Sequence, residues 1–184
     1  MIVETQKLTR AAVMIALATT LSFFKIIELG NGGSITMGSM VPIILVSFIF
    51  HPKDALLTSF VYALIQMLIQ GISTPPVENF LYYFLVIALD YIFAFTVLGL
   101  GGTLYKWMNN KSLKVILGTI SVVFLRFLCH FLSGILIWKV YAPSGQSVFL
   151  YSLFYNGSYM AGELIITVLA VSLISATKYV KNLI

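Results

Sequence analysis

Four side chains that a lipid interior should exclude, Asp90, Arg126, His130 and Glu163, stand inside long apolar runs of this sequence. Charged groups at membrane depth cost about 3 kcal/mol each on insertion scales, so they face a protein interior or a water-filled cavity and find partners there. Asp90 is followed directly by Tyr91, and a carboxylate among aromatic rings is the chemistry of a site for an organic cation. The rings attract positive charge through their quadrupoles, and the carboxylate supplies the counter-charge. A neutral His130 adds one donor and one acceptor, which suits a heteroaromatic ring. Arg126, His130, Gly134 and Trp138 recur at i+4 and share one helix face, with Ser133 and Ile137 beside it. Gly134 on that face either leaves room for a ligand or lets another helix approach.

Depth can be counted along each apolar run at about 1.5 Å per residue. Arg126 and Glu163 each fall about 21 Å below the outer end of their runs, a match that predicts an Arg–carboxylate pair. That pair fits a role in helix packing at least as well as one in ligand contact. Asp90, His130 and Asn156 fall at about 16, 15 and 10 Å, consistent with one outward-opening cavity. Tyr151, Tyr155 and Tyr159 form an i+4 stripe beside Asn156. Signals for catalysis are weaker. Cys129 and His130 are adjacent and point about 100° apart on a helix, which does not make a nucleophile–base pair. An intramembrane enzyme using Cys129 or Ser133 with His130 stays open as an alternative. No metal-ligand spacing is present, and no GxxxxGK[ST] motif, so no ATPase or cofactor is expected of this chain.

The elements that must position these residues follow from composition. The chain has 184 residues, 60% of them hydrophobic and 9% charged, and a mean hydropathy of +1.01, a balance that excludes a soluble globular domain of this length. Within hydrocarbon every backbone N–H and C=O needs an internal partner, and long runs without in–out alternation select helices over a barrel. Six apolar segments can be drawn at 8–27, 37–50, 54–72, 79–104, 113–140 and 149–177. The second is short, so it is tilted, shielded by neighbours or extended by loop residues. The first is read as a retained helix, because no small-x-small cleavage site precedes the polar NGGS. The expected fold is an all-α membrane protein of six transmembrane helices in a single domain, 1–184.

The formal charge of +5 lies at helix ends, which argues against nucleic acid as a partner. Lys7, Arg10, Lys53, Lys106, Lys111, Lys114, Lys178 and Lys181 collect on one side and only Lys25 and Lys139 on the other. Basic residues favour the cytoplasmic side, so both termini are expected there. The single Cys129 excludes an internal disulfide framework.

Three stretches carry a resemblance that covers nearly the whole chain: NGGSITMGSMVPI, LDYIFAFTVLGLGG, and RFLCHFLSGILIWKVYAPSGQSVFLYSLFYNGSYM. They are similar to the substrate-binding S-components of energy-coupling factor (ECF) transporters, and among these to the thiamin-specific members. The resemblance implies a vitamin-capture subunit of the bacterial cell membrane, N-in and C-in, with no ATPase of its own. It would dock on one transmembrane coupling protein and two ABC ATPases. It implies ligand-binding roles for Asp90, Tyr91, His130, Gly134, Trp138, Tyr151 and Asn156, and a partner-facing role for Ala12 and Ala16, whose i+4 spacing permits close helix approach. The acidic position is often glutamate in relatives, so Asp90 is a shorter arm. The KIIELGNGG loop lacks the tryptophan that some members carry there. Another vitamin or a related pyrimidine is the alternative cargo within the same architecture.

Overall fold

A computed structural model describes residues 4–183. Each apolar segment holds one helical rod. The first is α1 (Glu4–Phe23), the second α2 (Val41–Ile49) and the third α3 (Pro52–Gln70). The fourth runs over Phe80–Leu104 and changes pitch along its length: α4 (Phe80–Val86), a π-helical stretch Ile87–Phe93, α5 (Ala94–Thr96), a 3₁₀ turn Val97–Leu100 and α6 (Gly101–Leu104). The fifth is α7 (Lys111–Leu136), the sixth α8 (Val148–Ala176), and a last turn, α9 (Lys178–Lys181), follows.

Local chemistry sets the rod ends. Asn79 and Asn110 cap α4 and α7, their side-chain oxygens accepting from Tyr82 N and Leu113 N at 3.0 Å each, which satisfies donors that a helix start leaves free. Pro52 opens α3 where its missing N–H costs nothing, with His51 extended before it. An ion pair, Lys7 Nζ to Asp54 Oδ1 at 3.2 Å, ties the start of α1 to the start of α3.

Three rods, Phe80–Leu104, Lys111–Leu136 and Val148–Ala176, are long and apolar enough to cross a membrane. The short second segment resolves in favour of shielding: every residue of α2 from Val41 to Phe48 is buried. Nine helical residues rise only about 13 Å, so α2 is a core helix packed by α1, α3, the fourth rod and α8. Met40, Ile43, Ile44, Tyr62, Leu98 and Val122 are almost completely buried at this junction. Leucine and isoleucine side chains elsewhere on the rods, among them Leu8, Leu68, Ile165 and Leu173, stay exposed, as expected of surfaces that face lipid.

The structure departs from an all-helical reading between the first two rods. Residues Lys25–Glu28 (β1) and Ser34–Thr36 (β2) pair antiparallel around a glycine-rich turn, with a register shift between Lys25 and Ile27. Isoleucines at 26, 27 and 35 favour strand, and the turn residues Gly30 to Gly33 close the hairpin. This strap lies along α8, where the aromatic stripe holds it.

Candidate functional site

The strap, α3, the π-helical stretch, α7 and α8 enclose a cavity of about 410 Å³, within the usual range for small-ligand pockets. Asp90, Tyr91, His130, Gly134, Trp138, Tyr151 and Asn156 all line it, and so do Arg126 and Glu163.

Asp90 is the hub. Its Oδ2 accepts from Ser133 Oγ at 2.7 Å and from Trp138 Nε1 at 3.0 Å, and its Oδ1 lies 3.2 Å from His130 Nδ1. Trp138 Nε1 also donates to Ser133 Oγ at 3.0 Å. On the far side of the imidazole, Arg126 Nε donates to His130 Nε2 at 3.3 Å. A guanidinium nitrogen only donates, so Nε2 is an acceptor and the imidazole proton sits on Nδ1, donated to Asp90. His130 is thereby held as one neutral tautomer between a guanidinium and a carboxylate. The Trp138 ring, fixed at its nitrogen, stacks on Tyr141 with centroids 6.1 Å apart and planes at 22°.

The π-helical stretch explains how two successive residues both serve the site. Widening the helix at Ile87–Phe93 is a device found mainly at functional positions, and here both Asp90 and Tyr91 line the cavity. The Tyr91 hydroxyl donates to Gly71 O at 2.7 Å and accepts from Ser73 N at 3.1 Å. It anchors the loop after α3 and offers the cavity its ring rather than its hydroxyl.

On α8 the stripe binds the strap. Tyr151 Oη accepts from Asn31 Nδ2 at 3.2 Å, and Tyr155 Oη from Gly33 N at 3.0 Å. One turn on, the Tyr159 ring lies so close that a Cβ on Gly33 would stand 2.6 Å from Cδ1. Tyr159 Oη donates to Asn156 Oδ1 at 2.9 Å, while Asn156 Nδ2 donates to Ser152 O at 3.0 Å. Glu163 ends the row, its Oε1 accepting from Thr36 N at 2.6 Å and from Thr36 Oγ1 at 2.7 Å.

One sequence expectation needs correction. Arg126 and Glu163 do not form the direct ion pair that their equal depth suggested. Arg126 lies 4.1 Å over the Phe95 ring and turns Nε to His130, and Glu163 is taken by the Thr36 backbone and hydroxyl. Counting depth along helices has no place for a strap donor. Of the two readings of Gly134, close helix approach is seen directly: a Cβ there would collide with Ser152 Oγ and stand 3.0 Å from Asn156 Nδ2, while Gly134 also lines the cavity. The enzymatic alternative loses its serine version, because Ser133 Oγ donates to Asp90 rather than to His130.

Sequence reasoning missed Thr36, Ser39, Tyr62, Gln66 and Tyr141, which also line the cavity. Tyr62 and Gln66 carried a signal, polar groups at i+4 within an apolar run. The strap residues carried none before the hairpin was known. Among the described residues, no group of three or more His, Cys, Asp or Glu side chains is arranged to hold a metal.

Comparison with known proteins agrees with this architecture. The sequence model of the thiamine transporter protein family (Thia_YuaJ) matches residues 8–182. The thiamine transporter ThiT of Bacillus subtilis is 31% identical over 183 residues, covering 93% of this chain and 91% of that protein. ThiT of Lacticaseibacillus paracasei is 28% identical over 144 residues, covering 73% and 70%. A solved structure of ThiT from Listeria monocytogenes superposes with a TM-score of 0.75 over 96% of both chains at 22% identity, a likeness of fold.

Proposed function

Because the chain belongs to the thiamine transporter protein family, we propose that it captures thiamin in this cavity as the S-component of an ECF-type importer. The observation that carries the reading is Asp90: a carboxylate fixed by three donors on a wall of aromatic rings. The imidazole against Asp90 is neutral, so it does not cancel the carboxylate's charge, and a monocation supplies the counter-charge. Asp90 faces the thiazolium charge, and the rings of Trp138, Tyr91 and Tyr151 stack on it or flank it. Asn156 and His130 hydrogen-bond the aminopyrimidine. His130 offers Nε2 as acceptor to the ligand when Arg126 Nε gives it up.

In this reading the chain passes the membrane six times, the short α2 shielded inside the bundle and lengthened by the strap residues before it, with both termini cytoplasmic and the cavity with its strap facing outward. Ala12 and Ala16 lie on an exposed stripe of α1 with Leu8, Val13 and Leu17, a surface on which the coupling protein docks. Two partner ABC ATPases then drive delivery.

Isothermal titration of the detergent-purified protein with thiamin tests the core of the proposal. The expected result is tight, stoichiometric binding, and no detectable heat or competition would sink it. A panel of other vitamins and pyrimidines titrated in parallel separates thiamin from a related cargo. Liposomes containing this chain alone should bind thiamin without accumulating it.

A further inference from the structure

Among the buried polar atoms of cavity-lining residues that have no partner, two belong to charge-bearing side chains: Nη1 of Arg126 and Oε2 of Glu163. A buried donor or acceptor left unpaired costs about 1–3 kcal/mol, and more when it carries charge, so such groups call for something that completes them. They are opposite in kind, one only donating and one only accepting in its ionised form. Their side chains belong to the lining of the same cavity from two helices, α7 and α8, and no Arg126 nitrogen comes within 4.0 Å of a Glu163 oxygen. Each is also held in place by its other atoms. Glu163 is 5% exposed, with Oε1 clamped by the two Thr36 contacts, and Arg126 is held over the Phe95 ring, 4.1 Å from its centroid.

Resting on the thiamin reading above, we propose that Arg126 and Glu163 are a specificity-determining pair that reads the amino-and-ring-nitrogen edge of the ligand's pyrimidine. That edge presents an N–H donor beside a nitrogen acceptor, the complement of a carboxylate oxygen beside a guanidinium N–H. The amino group donates to Glu163 Oε2, and the adjacent ring nitrogen accepts from Arg126 Nη1. Asn156 and His130 are left for the rest of the ring. The two atoms thus find partners across the ligand rather than across the helix interface. Asp90 selects for charge, whereas Arg126 and Glu163 select for the order of donor and acceptor.

The test compares thiamin with an analogue that has an oxo group in place of the amino group, which reverses donor and acceptor on that edge and leaves the thiazolium cation intact. Titration of the wild-type protein should favour thiamin by about 100-fold or more. In Glu163→Gln the amide both donates and accepts, so the preference should fall at least about 10-fold; Arg126→Lys, which keeps the charge and loses the fork, should narrow it as well. Both ligands carry the same charge, so a general change in field cancels in the ratio. A wild-type protein that binds the two equally overturns the inference without any variant. So do variants that weaken both ligands by one common factor, the mark of a purely structural pair. A wild-type protein that binds neither ligand overturns the thiamin reading itself, a distinct outcome.

Discussion

Replacing Asp90 by Asn removes one charge and almost no volume, and its effect can be worked from the contacts. All three neighbours of the carboxylate point a donor at it: Ser133 Oγ, Trp138 Nε1 and His130 Nδ1. An amide offers one oxygen and one NH₂, so at least one of these donors meets another donor, at a cost of about 1–3 kcal/mol to the empty site. The ligand term is separate. A cation about 5 Å from the carboxylate in a medium of effective dielectric about 20 gains about 3 kcal/mol, and losing it weakens binding by about two powers of ten. The two terms are separated by titrating the variant with thiamin and with an uncharged isostere in which a neutral ring replaces the thiazolium. The charge argument predicts a loss of about 100-fold for thiamin and little change for the isostere. Equal losses for both ligands would refute it, leaving Asp90 as a scaffold for Trp138 and Ser133.

Three further outcomes are expected. His130→Ala strands Arg126 Nε and Asp90 Oδ1 without their shared partner and should weaken thiamin binding by about 10-fold or more, measured by titration. Gly134→Ala places a methyl against Ser152 Oγ and should cost about 1–3 kcal/mol of stability; a lower melting temperature, partly restored in Gly134→Ala with Ser152→Ala, checks this. Ala12→Trp or Ala16→Trp on the exposed face of α1 should leave binding to the purified protein unchanged and abolish uptake by cells that hold the partner module.

The helices were legible because the bilayer leaves few choices: each apolar segment contains a rod, and caps such as Asn79 and Asn110 stand where the rods begin. Counting depth worked for Asp90 and His130, placed at nearly equal depth from the sequence and found 3.2 Å apart. The same count misled for Arg126 and Glu163, because depth along an axis says nothing of azimuth or of backbone donors outside the helices. The hairpin is masked in the sequence by its glycines, although isoleucines at 26, 27 and 35 lean toward strand. The π-helical widening at Ile87–Phe93 had no residue pattern to announce it.

The contacts of Trp138 show how the proposed capture avoids a large rearrangement of the aromatic wall. A tryptophan immobilised only upon binding would lose rotamer freedom, a cost of about 0.5–1.5 kcal/mol per side chain. Trp138 has already paid it, since Asp90 and Ser133 hold its indole nitrogen and Tyr141 backs its ring. In the proposed complex, the carboxylate that faces the cation also aims the ring that stacks on it. The prediction specific to this coupling is that Ser133→Ala, although Ser133 is not among the cavity-lining residues, weakens binding by loosening Trp138. Fluorescence of the protein's tryptophans should then show a more mobile indole in Ser133→Ala before ligand is added, and an equally ordered one after. An indole as rigid in the empty variant as in the wild type would break the link between Asp90 and the stacking ring.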